Sequence, residues 1–237
     1  MNRRLRGLAA AMMACSAALF IQLNLLSVVE APDLNSRPDN SRAVQDAFNR
    51  PRGDIVSADG KLLATSLETD ATLRYQRTYP MGELFGHVTG SYSFLFGSDG
   101  VEESYDAELR GDTAEFALRG LAAPLVEGPN VGTVDVTLRS DVQEAARDAL
   151  GDRRGAVVVL DPRSGDIIAM WSWPSYDPNL VATNDEISAR AFREAFNADP
   201  DKPTRSRAYR ERYFPGSTFK VVTGAAGLES GTVTDVG

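Results

Sequence analysis

Ser217 and Lys220 stand three residues apart in the stretch Pro215-Gly216-Ser217-Thr218-Phe219-Lys220. Pro215 and Gly216 close whatever precedes them, and no proline follows before Gly231, so the spacing predicts a helix opening near Ser217. Residues at i and i+3 share a helical face with Cβ atoms about 5 to 6 Å apart, close enough for the lysine amine to take the serine proton. Such chemistry needs an amine that is neutral part of the time, which desolvation and the positive end of a helix dipole both favour. A serine so activated attacks a carbonyl, forms an ester and leaves it for a second nucleophile to resolve. The reaction class is acyl transfer, with Ser217 as nucleophile and Lys220 as base, and it asks for neither metal nor cofactor.

The pair by itself is a weak signal. With 18 serines and three lysines in 237 residues, chance supplies it in roughly one such chain in four. On these two residues alone, an ordinary helix with Ser217 as N-cap and Lys220 solvated is the better reading. The residues upstream change the balance. Gly155 to Pro162, Ser164 to Met170 and Pro174 to Asn179 lead towards Pro215 to Lys220, and far ahead of them lie Arg52-Gly53-Asp54-Ile55, Asp59 to Ala64, Val88 to Ser93, Gly100 to Asp106 and Leu109-Arg110-Gly111. In that order these motifs resemble the class B penicillin-binding proteins, most of all the actinobacterial penicillin-binding protein A type, and S-x-x-K is one of that superfamily's own motifs.

The resemblance implies a D,D-transpeptidase that cross-links peptidoglycan stem peptides through an acyl-Ser217 intermediate and is trapped at the same serine by β-lactams. It also implies work beside a glycosyltransferase and division proteins. Two features depart from the family. Ser206-Arg207-Ala208 stands where Asn-Arg-Ala is usual, and neither an S-x-N triad nor a K-T-G or K-S-G strand occurs: Lys61, Lys202 and Lys220 are followed by Leu62, Pro203 and Val221. The expectation is a transpeptidase domain represented by its N-terminal part, C-terminally truncated and by itself inactive. A non-catalytic, membrane-anchored interaction module stays open beside it. The final helix, rich in Val, Ala and Gly, reads as a central helix awaiting partners.

Gly7 to Val29 carries no charge and is long enough to span a bilayer. Arg3, Arg4 and Arg6 precede it, which predicts an uncleaved type II anchor with the domains outside the cytoplasm. No small-x-small site closes the apolar run, which argues against a signal peptide. The single cysteine, Cys15, lies within the span and leaves the exported part without disulfides. The whole chain carries a formal charge of −8, and the part beyond residue 30, without the +2 of Arg3, Arg4, Arg6 and Glu30, carries −10, which argues against nucleic acid.

The expected fold class is α+β, with the chain divided into a cytoplasmic tail 1–6, an anchor 7–29, a linker 30–42, a pedestal 43–150 and the N-terminal part of a β-lactamase-like transpeptidase domain 151–237. In the pedestal, Asp59-Gly60 signals a hairpin between 53–57 and 61–67. A third strand over 71–79, a helix over 101–109, a strand over 134–138 and a helix over 141–150 follow. Arg52-Gly53-Asp54 reads as a hairpin or salt-bridge element, Glu102, Glu103, Asp106 and Glu108 as a solvated face, and His87 as a local hydrogen-bonding group. Arg205, Arg207, Arg210 and Arg212 read as a solvated loop. Protease sensitivity is expected after about residue 151.

Overall fold

The computed structural model describes residues 2–30, 41–116 and 131–234. Helix α1, Asn2–Asn24, runs on into a π-helical turn over Leu25–Val29. It is the one helix among the described residues long and apolar enough to cross a membrane, over Gly7–Ser27. Asn24 Nδ2 donates to the Phe20 carbonyl at 2.8 Å and the Ser27 hydroxyl to Asn24 O at 3.5 Å, so these polar groups turn back onto their own helix. Most of the expected linker lies outside the described residues, but Ser41 and Arg42 already belong to helix α2, Ser41–Phe48.

The pedestal sheet grows around strand β1, Ile55–Val56. It pairs antiparallel with β2, Leu62–Glu68, which carries β3, Tyr75–Thr78, on its other side. Gly60 takes a positive φ of 78° at the turn, the conformation that favours glycine after aspartate. The third strand starts at Tyr75 rather than Ala71 because Thr69 N–H bonds Arg74 O and closes a turn there.

Beyond a 3-10 turn at Gly82–Leu84 come α3, Gly86–Thr89, and a short hairpin of β4, Tyr92–Ser93, with β5, Gly97–Ser98. Phe48 of α2 stacks on Tyr92 at 4.5 Å and meets Phe94 edge-on at 5.6 Å. The expected helix over 101–109 is broken at Tyr105 into α4, Gly100–Ser104, and α5, Asp106–Arg110. Strand β6, Val134–Asp135, returns parallel to β1 and completes the order β3-β2-β1-β6.

Helix α6, Ser140–Leu150, leads into the antiparallel pair β7, Gly155–Leu160, and β8, Ile167–Trp173. Gln143 on α6 joins them to the pedestal: its Nε2 donates to Leu84 O and Met170 O, both at 2.9 Å, and its Oε1 accepts Met170 N–H at 2.8 Å. Ile55, Leu63, Tyr79, Leu84 and Leu109 share one buried core with Ala146, Ala169 and Trp171, so pedestal and hairpin bury apolar surface against each other. Trp171 and Trp173 lie on one side of β8 with ring centroids 6.4 Å apart. Helices α7, Asn179–Ala182, and α8, Glu186–Ala198, follow, then a 3-10 turn at Gly216–Phe219 and helix α9, Lys220–Glu229. The architecture is α+β.

Candidate active site

Gly216, with φ +53°, bends the chain away from Pro215. Thr218 N–H then donates to Pro215 O at 3.2 Å, and its hydroxyl bonds the same carbonyl. The helix expected to open near Ser217 therefore begins as a tighter 3-10 turn and becomes α-helical only at Lys220, whose N–H returns to Ser217 O. Side chains at i and i+3 eclipse in 3-10 geometry, so the side chains of Ser217 and Lys220 leave the backbone on one side of the turn. Both side chains are exposed.

Helix α9 holds no buried residue. Val221 is 78% exposed and Phe214, just ahead of the motif, fully so. The apolar character that marked this as a core helix is real, and none of the described residues covers it.

The chain leading to Ser217 is fixed at several points. Asn179 holds the pedestal edge, donating to Tyr79 O at 2.9 Å and accepting Tyr79 N–H at 2.8 Å. Gln76 of β3 donates to Ala182 O at 2.7 Å and accepts Asn184 N–H at 2.8 Å. Arg207 departs from the expected solvated loop: it is 1% exposed. Its backbone N–H donates to Ser172 Oγ at 2.8 Å, and its guanidinium bonds Arg205 O at 3.3 Å and also Asp201 O. Next to it, the Ser206 hydroxyl is buried without a hydrogen-bond partner among the described residues.

Closer still, Tyr213 donates to Glu211 at 2.7 Å. That bond, and then the charges of Arg207 and Arg154, hold the Glu211 carboxyl below its usual range. Among the described residues no group of three His, Cys, Asp or Glu side chains is placed to hold a metal ion.

His87 is not the local group expected from its neighbours. It reaches across the fold to Pro203 O at 2.7 Å. Sequence reasoning missed it, as it missed Arg207, because Pro203 and Ser172 lie 116 and 35 residues away along the chain and no periodicity encodes such contacts.

Residues 52–133 match the family model of the penicillin binding protein A dimerisation domain, and residues 155–236 that of the penicillin binding protein transpeptidase domain. The peptidoglycan D,D-transpeptidase PbpA of Mycolicibacterium smegmatis is 42% identical over 98% of this chain and 48% of its own length. The Mycobacterium tuberculosis protein of the same name is 40% identical, again over 98% and 48%. The fold matches penicillin-binding protein A of M. tuberculosis, solved as a penicillin G acyl-enzyme complex, with a TM-score of 0.72 and 38% identity over 79% of this chain and 44% of that one. Penicillin-binding protein 2 of Pseudomonas aeruginosa follows at a TM-score of 0.63 and 32% identity, covering 78% and 42%. The chain spans about half the length of the curated relatives it matches.

Proposed function

The chain belongs to the class B penicillin-binding proteins, of the penicillin-binding protein A type, and from that premise we propose that it supplies the acylating serine of a peptidoglycan D,D-transpeptidase. The supporting observation is the placement of Ser217 and Lys220 one 3-10 turn apart, inside the stretch that matches the transpeptidase family model. Ser217 Oγ attacks the carbonyl carbon of the penultimate D-alanine of a stem peptide while Lys220 Nζ takes the hydroxyl proton. The C–N bond breaks, the proton passes to the departing amine, and D-alanine leaves. An amine of a neighbouring stem then attacks the ester, and the Ser217 oxygen is reprotonated as the cross-link forms. In a β-lactam the broken C–N bond belongs to a ring, so no leaving group departs and the ester persists.

The same reading places residues 1–6 in the cytoplasm, α1 across the membrane and the remainder outside, with a pedestal over 43–150 and the transpeptidase portion from 151. The N-terminal arginines set that orientation. A glycosyltransferase and division proteins are the partners this reading assigns.

Labelling with a fluorescent penicillin tests it. The 237-residue chain, which contains no K-T-G strand, takes no label. The chain joined after Gly237 to the C-terminal part of the M. smegmatis relative takes one. In that fusion Ser217→Ala abolishes labelling, and Lys220→Ala slows it by about 10² to 10⁴-fold, the range of a lost general base. Persistent labelling of Ser217→Ala would overturn the assignment.

A further inference from the structure

One pedestal residue makes two hydrogen bonds to the chain approaching Ser217. His87 lies in α3 and is 6% exposed. Its Nε2 is 2.7 Å from the Pro203 carbonyl, and since a carbonyl only accepts, the ring carries its proton on that nitrogen. Burial above all keeps the His87 pKa below the usual histidine range, so the ring is neutral at physiological pH. The backbone carbonyl of His87 in turn accepts the Tyr209 hydroxyl at 3.1 Å.

One pedestal residue thus holds both ends of the 203–209 segment, across sequence separations of 116 and 122 residues. The ring also meets Tyr176 edge-on at 5.6 Å, and Tyr176 meets Phe196 of α8 at 5.8 Å. A Cβ at Gly86 would fall 2.4 Å from Tyr176 O, so glycine is what lets α3 come this close. Beyond Glu211 the chain is exposed as far as Ser217 and through most of α9. The segment gripped by His87 is therefore among the last well-anchored stretches before the nucleophile.

We propose that His87 is a positioning residue, through which the pedestal fixes the entry of the chain into the Ser217 turn and so sets the rate of acylation. The proposal rests on the reading of Ser217 as the acylated serine. A histidine that merely satisfied itself in a core would need one bond to any carbonyl. This one bonds, from side chain and backbone, the two ends of the segment that delivers the motif. Geometry at a reacting centre is rate-determining at the level of 1 Å, where displacement costs on the order of 10²-fold.

Two variants separate donor from packing. His87→Phe keeps a ring against Tyr176 and removes the N–H, while His87→Gln offers an amide N–H in its place. In the detergent-solubilised 237-residue chain, backbone hydrogen exchange over 203–216 quickens in His87→Phe and stays near wild type in His87→Gln. In the fusion, the time course of penicillin acylation resolves initial affinity from the acylation rate constant. His87→Phe lowers the rate constant about 10 to 100-fold with affinity unchanged, and His87→Gln restores it to within a few-fold. Should His87→Phe fail to fold, Tyr209→Phe, at a side chain 51% exposed, removes the other half of the grip and slows acylation in the same sense.

Wild-type acylation that is indifferent to both His87→Phe and Tyr209→Phe would overturn the proposal alone, as would equal losses in His87→Phe and His87→Gln. A wild-type fusion that takes no label at all sinks the transpeptidase reading and this proposal together.

Discussion

The Glu102 carboxylate lies between two guanidinium groups, with Arg52 Nε and Arg77 Nε each 2.6 Å away and its side chain fully buried. Arg52 also donates to the Glu102 carbonyl at 2.6 Å, and the Tyr79 hydroxyl to its carboxylate at 3.2 Å. Burial first, and then the Glu102 charge, pushes the Tyr79 phenol well above its usual range, which keeps it a donor. Removing one partner of a buried pair leaves the others uncompensated, at a cost of about 3 to 5 kcal/mol. An exposed pair such as Arg74–Glu68, at 2.9 Å, is screened by solvent and contributes far less. Glu102→Gln is therefore expected to lose several times more unfolding free energy in urea than Glu68→Gln, and similar losses in both would show that the buried cluster is not load-sharing. The sequence identified Arg52 as a salt-bridge element but assigned Glu102 to a solvated face, since a short acidic helix looks alike in either setting. The partner that decides the matter lies 50 residues away. The placement of Ser217 and Lys220 one turn apart was legible because that relation is local.

Helix α6 depends on a residue from another element. Arg139, at its N-cap, makes no side-chain cap bond. The Ser140 N–H is met instead by Asp59, from the β1–β2 turn, which accepts it at 3.1 Å and also accepts the Ser140 hydroxyl. Those bonds, led by the Ser140 hydroxyl and followed by that of Ser57, hold the Asp59 carboxyl well below its ordinary range. A folded pKa below the unfolded one means that the unfolded chain binds more protons in the window between them. The stabilisation is then fully present above the unfolded carboxylate value of about 3.9 and is lost as pH falls through the folded one. Asp59→Asn is expected to cost about 1 kcal/mol at pH 7, the difference between a charged and a neutral acceptor, and the gap to wild type is expected to close as pH falls below about 4. A gap that is constant from pH 7 to pH 2.5 in thermal melts would refute the charge-based cap. The Asp59-Gly60 hairpin was readable from its turn residues alone. Helix α8 was not: its inward position is the small Ala189, while Ile187 stands 82% exposed, so the apolar pattern points the wrong way. Its one local signal was Asp185, which caps Ile187 N–H at 3.2 Å.

Across the whole molecule, the change of chain character at Gly151–Arg154 does not coincide with a break in packing. Ala169 and Trp171, from β8, are buried in the same core as Ile55 and Leu63 from the pedestal sheet, and Gln143 bonds both sides at once. Asn179 bonded to Tyr79 and Gln76 bonded to Ala182 extend the attachment, and His87 carries it on to Pro203 and Tyr209. Regions open locally where few apolar contacts hold them, and proteases report that opening. On this basis the sensitivity expected after about residue 151, where the last helix lacks packing partners, concentrates in the stretch where Phe214, Phe219, Val221 and Val222 are each more than half exposed. Thermolysin, which cuts beside large apolar residues, is expected to make its first cuts on the C-terminal side between residues 212 and 230. The product should retain the hairpin and α8 joined to the pedestal. Mass spectrometry of the early fragments checks this. A first cut within Gly151–Arg154 that releases the hairpin would mean that pedestal and hairpin open separately, and the shared core would then hold them less firmly than its burial implies.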